Sequence, residues 1–461
     1  MNATRITFTI LILILATGYL AFSSTDLKAD TLKVATFEVD ASPPIGSPLA
    51  YDPTRGIQSP LSFRGVVLQG RDTYVLCAVD WLGVSSDSQK GFKQAIAKAV
   101  GTDSKFVVIH AIHQHDAPRC DATTQAVFDE FDLDYDMFDL KFIRQMQAKA
   151  AAAAKQSLSN LESVTHIGIG EAEIEKVASN RRILGPDGKV KYVRYTATKD
   201  PVVRAQPIGT VDPMCKTISF WNGDRPLAVM TYYATHPQSY YRTGLANPDF
   251  PGMARNARQE TTKTFHIHFN GAGGNIGAGK WNDGAKENRE VLAKRVEDGM
   301  QRAWEATKRK PIEADDVTMT SVDVLLPLSP FIQKEEAINE LSNKELDRLT
   351  HFRAARELAW LRRHEAGDAI AIQCLAIGDA RVLHLPGELF VEYQLAAQKI
   401  RPDLFVAMAA YGDYAPGYIG TEASYGEGGY ETSRPASRVS GRAEQVLMGA
   451  ITKLLHDDGT K

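Results

Sequence analysis

From about residue 31 onward, short apolar runs rich in Val, Ile, Phe and Tyr alternate with longer amphipathic stretches. This alternation constrains the fold more than any other feature of the chain. Apolar runs bounded by Gly, Asp and Pro are strand signals, and apolar residues spaced three and four apart are helix signals. Strands are predicted over residues 32–37, 65–80, 106–110, 166–172, 217–221, 227–233, 265–269, 317–326, 370–376, 380–384 and 405–410. Helices are predicted over 88–100, 141–158, 252–264, 286–308, 334–366, 390–400 and 436–455. Such mixing predicts an α/β fold: mixed β-sheets flanked by helices, in a single body over residues 30–461. No repeat of 20–50 residues and no long linker divides it, and residues 185–213 read as a hairpin followed by a surface loop. The charge-rich run over 334–363 alternates in sign and reads as a solvated helix face.

With 461 residues the chain can bury a large core. A net charge of −3 and a pI of about 6.4 leave no electrostatic footprint for nucleic acid. Residues 1–29 join one early Arg5 to an apolar centre, Ile6 to Phe22, which reads as a signal peptide or an N-terminal anchor. Either places the body outside the cytoplasm, and association with a membrane surface stays open. Export permits disulfides, but Cys77 and Cys374 sit in apolar strand-like runs where free buried thiols fit as well.

The chemistry concentrates where strands end. The stretch FVVIHAIHQHDAPRCD, residues 106–121, runs from a strand into His110, His113 and His115. In an extended chain His113 and His115 would point to one side, and imidazole is the commonest transition-metal ligand. His110 is expected to pack. MTYYATHPQSYY repeats the grammar, ending a strand in His236 and a proline. ARVLHLPGELF ends a strand in Glu388, a ligand or base, or an acid at a helix start. The Gly-rich segment 409–433 carries five tyrosines. Nitrogen and oxygen donors of this kind suit zinc.

These motifs together resemble the neutral/alkaline non-lysosomal ceramidase family, over roughly residues 35–435. VDASPPIG is similar to that family's first strand and turn. Its THTHSGP signature aligns with residues 112–118, its NHP element with Thr235-His236-Pro237, and its SGDNKGYA element with residues 247–254. PGE is present at Pro386-Gly387-Glu388. The pattern YxTTxEEYxxxxYE matches YIGTEASYGEGGYE, which places Tyr418, Tyr425 and Tyr430 at the family spacing. The resemblance implies zinc held by His113, His236, Glu388 and Tyr418. It places His115 and Tyr430 at the reacting centre, and Arg181 (with Arg182 beside it) at a substrate carbonyl or oxyanion. Two departures bear on the substrate. The family serine of AQSNxGD falls at Gly274, and Asp116 stands at the serine of THTHSGP. The chain is also expected to lack the family's C-terminal immunoglobulin-like domain.

The resemblance implies hydrolysis of an amide (N-acyl) bond, with lipids among the substrates it allows; zinc lowers the pKa of bound water to about 7 and so supplies a nucleophile without a serine. Gly271, Gly273 and Gly274 would either let backbone approach the substrate or form a tight turn. Two other readings remain: a non-catalytic envelope protein that keeps the fold and metal, and an HxH metallohydrolase built on a barrel of regular βα units.

Overall fold

The computed structural model describes residues 31–457, so the expected signal peptide or anchor lies outside the described residues. Three sheets of the same construction make up the body. In the first, strands Lys33–Asp40, Ser62–Gln69 and Thr73–Val79 form an antiparallel meander. Helix Ser86–Val100 then crosses over, and strand Val107–Ala111 returns parallel to Thr73–Val79, with Cys77 opposite Ile109. The second repeats the plan. His166–Glu173, Met214–Asn222 and Arg225–Tyr233 are antiparallel, helix Asp249–Thr262 crosses, and Phe265–Asn270 returns parallel to Arg225–Tyr233. The third runs Val317–Val324, Ile370–Ile377, Ala380–His384, helix Val391–Ile400 and the parallel strand Phe405–Ala409. Glu162–Ser163 and Lys308–Pro311 add edges to the first two sheets.

Alternation along each strand divides the side chains between two layers. In Thr73–Val79, Val75, Cys77 and Val79 pack with Phe92, Ile96, Phe142 and Met146 of the flanking helices. Tyr74, Leu76 and Ala78 turn the other way, into a core shared with Met230, Ile267 and Phe269 of the second sheet and Leu375, Val382 and Ala407 of the third. Each sheet thus gives one face to a common centre and the other to helices. The expected mixed α/β architecture is what forms. Three open sheets, not one closed barrel of parallel strands, exclude the barrel reading.

Several expected elements change form for local reasons. Residues 65–80 fold as a hairpin turning at Gly70, whose N–H donates to the Asp72 carbonyl at 3.0 Å. The expected helix over 334–366 divides into Lys334–Ser342 and Arg348–Glu365. Asp347 caps the second by accepting from the N–H groups of Leu349 and Thr350, the local bonding that makes Asp compete with a continuous helix. The last helix begins at Ala443, and helix Ala122–Glu130, capped by Asp121, was not expected. Residues 182–193 form the predicted hairpin, followed by a short helix at Pro201–Ala205. All four cysteines are free and buried, and burial pushes the Cys374 thiol up to about 12.

Candidate metal centre

The parallel strand pairs of the three sheets end at one place, and each delivers part of a buried polar cluster. From the first sheet come His113 and His115, from the second His236, and from the third Glu388. Atoms of His113, His115 and His236 suited to holding a metal lie within 4.8 Å of one another. The two histidines of HQH converge by a turn and not by strand alternation. His113 has φ +66°, in the left-handed region, and its N–H donates to the Trp81 carbonyl. Glu388 sits opposite Tyr418 in the two-residue parallel pairing of Glu388–Leu389 with Tyr418–Ile419, which sets both side chains beside one another.

Hydrogen bonds assign the protons on the imidazoles. His113 Nδ1 faces the Leu82 carbonyl at 2.8 Å and His236 Nδ1 faces the Gly273 carbonyl at 3.3 Å. A carbonyl only accepts, so both rings carry hydrogen on Nδ1 and keep a lone pair on Nε2. His115 is the reverse. Its Nδ1 accepts from the Gln238 amide nitrogen at 3.2 Å and lies 3.0 Å from the Tyr51 hydroxyl. Its hydrogen therefore sits on Nε2, which points at His236 Nε2 from 3.1 Å. Two histidines offer lone pairs and the third offers an N–H. Burial, with the Arg181 guanidinium nearby, holds His115 and His236 well below the usual histidine pKa, so both are neutral at neutral pH.

Whether this donor set fits zinc is tested by its buried unpaired atoms. His113 Nε2 and Glu388 Oε2 have no hydrogen-bond partner and face each other across 3.2 Å. Ligands about 2.0–2.2 Å from a tetrahedral zinc stand about 3.3 Å apart, so the pair has the spacing of two ligands on one ion. The surroundings fix these groups as well. Tyr414 donates to Glu388 Oε1 at 2.7 Å, and backbone carbonyls hold His113 and His236 in orientation, the support that metal-binding imidazoles require. The residues fit a zinc ion.

Arg181 is fully buried beside this cluster. Its Nε donates to Glu431 at 2.6 Å and its Nη2 to the Tyr418 hydroxyl at 2.7 Å. Burial pushes the Tyr418 hydroxyl up and Arg181 pulls it back. Arg182 instead binds Glu431, Glu427 and the Ser424 carbonyl, anchoring the tyrosine-rich segment and leaving the centre to Arg181. Tyr430 is half exposed at the mouth, with its ring 5.7 Å from that of Tyr418. Tyr425, at the same motif spacing, bonds Ser437 and stays outside the cluster. His110 packs behind it, between the Ala410 carbonyl and His384.

Other participants had no sequence signal strong enough to single them out. Tyr411 stacks on His113 at 4.4 Å with its hydroxyl unpartnered, and Tyr414 and Tyr51 orient Glu388 and His115. The glycines of GAGG resolve into close backbone packing. A Cβ on Gly274 would stand 2.2 Å from the Glu388 carbonyl oxygen, and one on Gly273 2.0 Å from that of Thr235. This segment wedges between the loops bearing His236 and Glu388. Asp116 turns away from the cluster and accepts from the N–H and hydroxyl of Thr243.

No protein-family model and no curated protein matches the chain. Solved structures do match, two of them as follows. One is a ceramidase complexed with C2, at 14% identity and a TM-score of 0.69, covering 93% of this chain and 75% of that one. The other is the neutral ceramidase from Pseudomonas aeruginosa, at 13% identity and a TM-score of 0.69, covering 93% and 74%. The chain has the neutral ceramidase fold. Within that fold, the described centre combines a buried three-histidine cluster able to bind metal with a facing carboxylate.

Proposed function

We propose that this protein is an exported zinc-dependent hydrolase that cleaves an amide (N-acyl) bond. The observation that carries the reading is the buried pair His113 Nε2 and Glu388 Oε2, two unpartnered lone-pair atoms 3.2 Å apart. Zinc held by His113, His236, Glu388 and Tyr418 would supply Lewis acidity to water and to an acyl carbonyl. His115 faces the centre through Nε2; moving its hydrogen to Nδ1, where the Tyr51 hydroxyl oxygen can accept it, would free Nε2 to take a proton from water and pass it to the departing amine. Arg181, fixed by Glu431, aims its guanidinium at the Tyr418 hydroxyl, where it stabilises negative charge on the acyl oxygen. Tyr430 offers a hydroxyl at the mouth. Water's oxygen joins the acyl carbon, the C–N bond breaks, and the amine leaves with the proton.

Gly274 leaves no serine hydroxyl at that position, so the reading relies on water as the nucleophile, and the glycine weakens ceramide as the substrate. The test is metal content together with turnover. Protein purified without chelator should carry about one zinc per chain, and His113→Ala and His236→Ala should each lose it. His115→Ala should keep zinc and lose turnover. Absence of zinc from the wild type, with thermal stability unchanged by chelator, refutes the proposal.

A further inference from the structure

Two guanidiniums beside the centre form no ion pair among the described residues, and Asp121 acts on both only through its charge. Arg119, in the short strand Arg119–Cys120, places its Cζ 4.8 Å from the centroid of Phe352. Arg356, from helix Arg348–Glu365, stands 5.3 Å from the same ring and 5.6 Å from Tyr414. Tyr414 is the residue that donates to Glu388, so Arg356 lies one side chain behind the candidate ligand. Gly83, paired with Arg119, abuts the Tyr414 ring.

Neither guanidinium meets a carboxylate among the described residues, and Arg119 Nε and Arg356 Nη2 are buried without a hydrogen-bond partner. The acids nearby are committed elsewhere. Both oxygens of Asp121 accept from Thr124, and Glu357 is held by Arg434 at 3.0 and 2.9 Å. Arg181, by contrast, is neutralised by Glu431. Burial and the neighbouring Arg356 push the Arg119 pKa down, as expected for two like charges kept together. Their field extends over the mouth: Arg119 acts on His115 and Tyr51, and Arg356 on Tyr430. Both side chains are partly exposed, so an anion arriving from solvent can reach them.

We propose that the substrate is an N-acyl compound bearing an oxyanion, a carboxylate or phosphate, received by Arg119 and Arg356. This rests on the amidase reading above and narrows its substrate class. A neutral N-acyl alcohol would leave both guanidiniums unpaired. An N-acyl amino acid or a phosphorylated N-acyl amine would satisfy them by charge-assisted hydrogen bonds.

The test compares three N-dodecanoyl compounds on the zinc-loaded full chain: the glycine conjugate, the ethanolamine conjugate, and the phosphoethanolamine conjugate. Hydrogen bonds to charged groups are worth about tenfold or more each, so kcat/KM for one or both anionic compounds should exceed that of the neutral one by at least about tenfold. Arg119→Gln and Arg356→Gln should each reduce that ratio about tenfold, and Arg356→Lys should restore part of it. The relative rates of the two anionic compounds distinguish carboxylate from phosphate. Equal rates for all three in the wild type overturn the proposal, as does a ratio untouched by both Gln variants. Binding separates this from the amidase reading. The ketone isostere of N-dodecanoylglycine, with CH2 in place of NH, should bind at least about tenfold tighter than its alcohol counterpart. That result with no turnover of any compound keeps the oxyanion site and removes the amidase; equal binding removes the oxyanion site.

Discussion

Gly274→Ser separates a lost catalytic hydroxyl from a position that has no room for one. If the serine of the family pattern had simply been lost, restoring it would be harmless or would raise ceramide hydrolysis. The backbone says otherwise. Any Cβ at this position stands 2.2 Å from the Glu388 carbonyl oxygen and 3.0 Å from that of Leu389, and these are backbone atoms that cannot swing aside. The Gly274 N–H also donates to the Leu389 carbonyl at 2.8 Å. Overpacking costs about 1–3 kcal/mol, and disturbing that hydrogen bond adds about 1 kcal/mol, so the expected loss is about 2–4 kcal/mol. The displaced strand carries Glu388, so zinc content should fall too. Gly274→Ala brings the same Cβ without the hydroxyl and should behave alike. Denaturant titration and metal analysis of the three proteins decide the matter. A Ser variant with wild-type stability and zinc, or one clearly unlike the Ala variant, would refute the steric reasoning.

Two further perturbations act away from the centre. Asp80 is buried and accepts from two nitrogens of Arg255, at 2.6 and 2.9 Å, so Arg255→Met should cost about 3 kcal/mol by removing its ion-pair partner and leaving only Ser62 and the Arg64 charge to support it, read as a fall in denaturation midpoint. Acid should destabilise the fold well above the range where carboxylates titrate. Burial lowers His110 to about 4 and His266 and His268 to about 3, so the fold keeps them neutral while the unfolded chain protonates below about 6.5. Stability from these three is full above pH 6.5 and falls below it, by up to about 1.4 kcal/mol per pH unit for each. Asp249, raised to about 6 by burial, takes up a proton on folding in that range and offsets one of the three. A denaturation midpoint unchanged between pH 7 and 5 would contradict this.

Much of the centre was legible because its donors close local patterns. A strand running into His236-Pro237 or Pro386-Gly387-Glu388 announces itself within a few residues. What orients those donors was not legible. Leu82 and Gly273 act through backbone carbonyls, which any residue type carries, and Gln238 and Tyr51 reach His115 from distant segments. The extended-chain rationale for HQH was mistaken even though the two rings do meet, because no pattern marks a left-handed turn at His113. The solvated face read for residues 334–363 was half right. Lys334 pairs with Glu365 at the surface, but Arg356 turns inward, and alternating signs do not reveal which side of a helix is covered. The threefold construction escaped because the excursions between corresponding strands differ in length and a search for short periods does not see it.

That construction explains how a centre of this kind can be assembled from weak local signals. In each unit one strand of the parallel pair leads to a donor and the other to the group that orients it. His113 follows Val107–Ala111, and the Leu82 carbonyl that holds it follows Thr73–Val79. His236 follows Arg225–Tyr233, and the Gly273 carbonyl follows Phe265–Asn270. Glu388 follows Ala380–His384, and Tyr414 follows Phe405–Ala409. Orientation is therefore settled inside each unit, at the carboxyl ends of neighbouring parallel strands where α/β sheets bind ligands. Convergence is settled between units, by the apolar core all three sheets share. Packing that core brings the lone pairs of His113 and Glu388 face to face, an arrangement that costs free energy when nothing lies between them. A cation at that point would offset the cost and tie the units together, so the same contact that carries the proposed chemistry would also hold the three sheets in register.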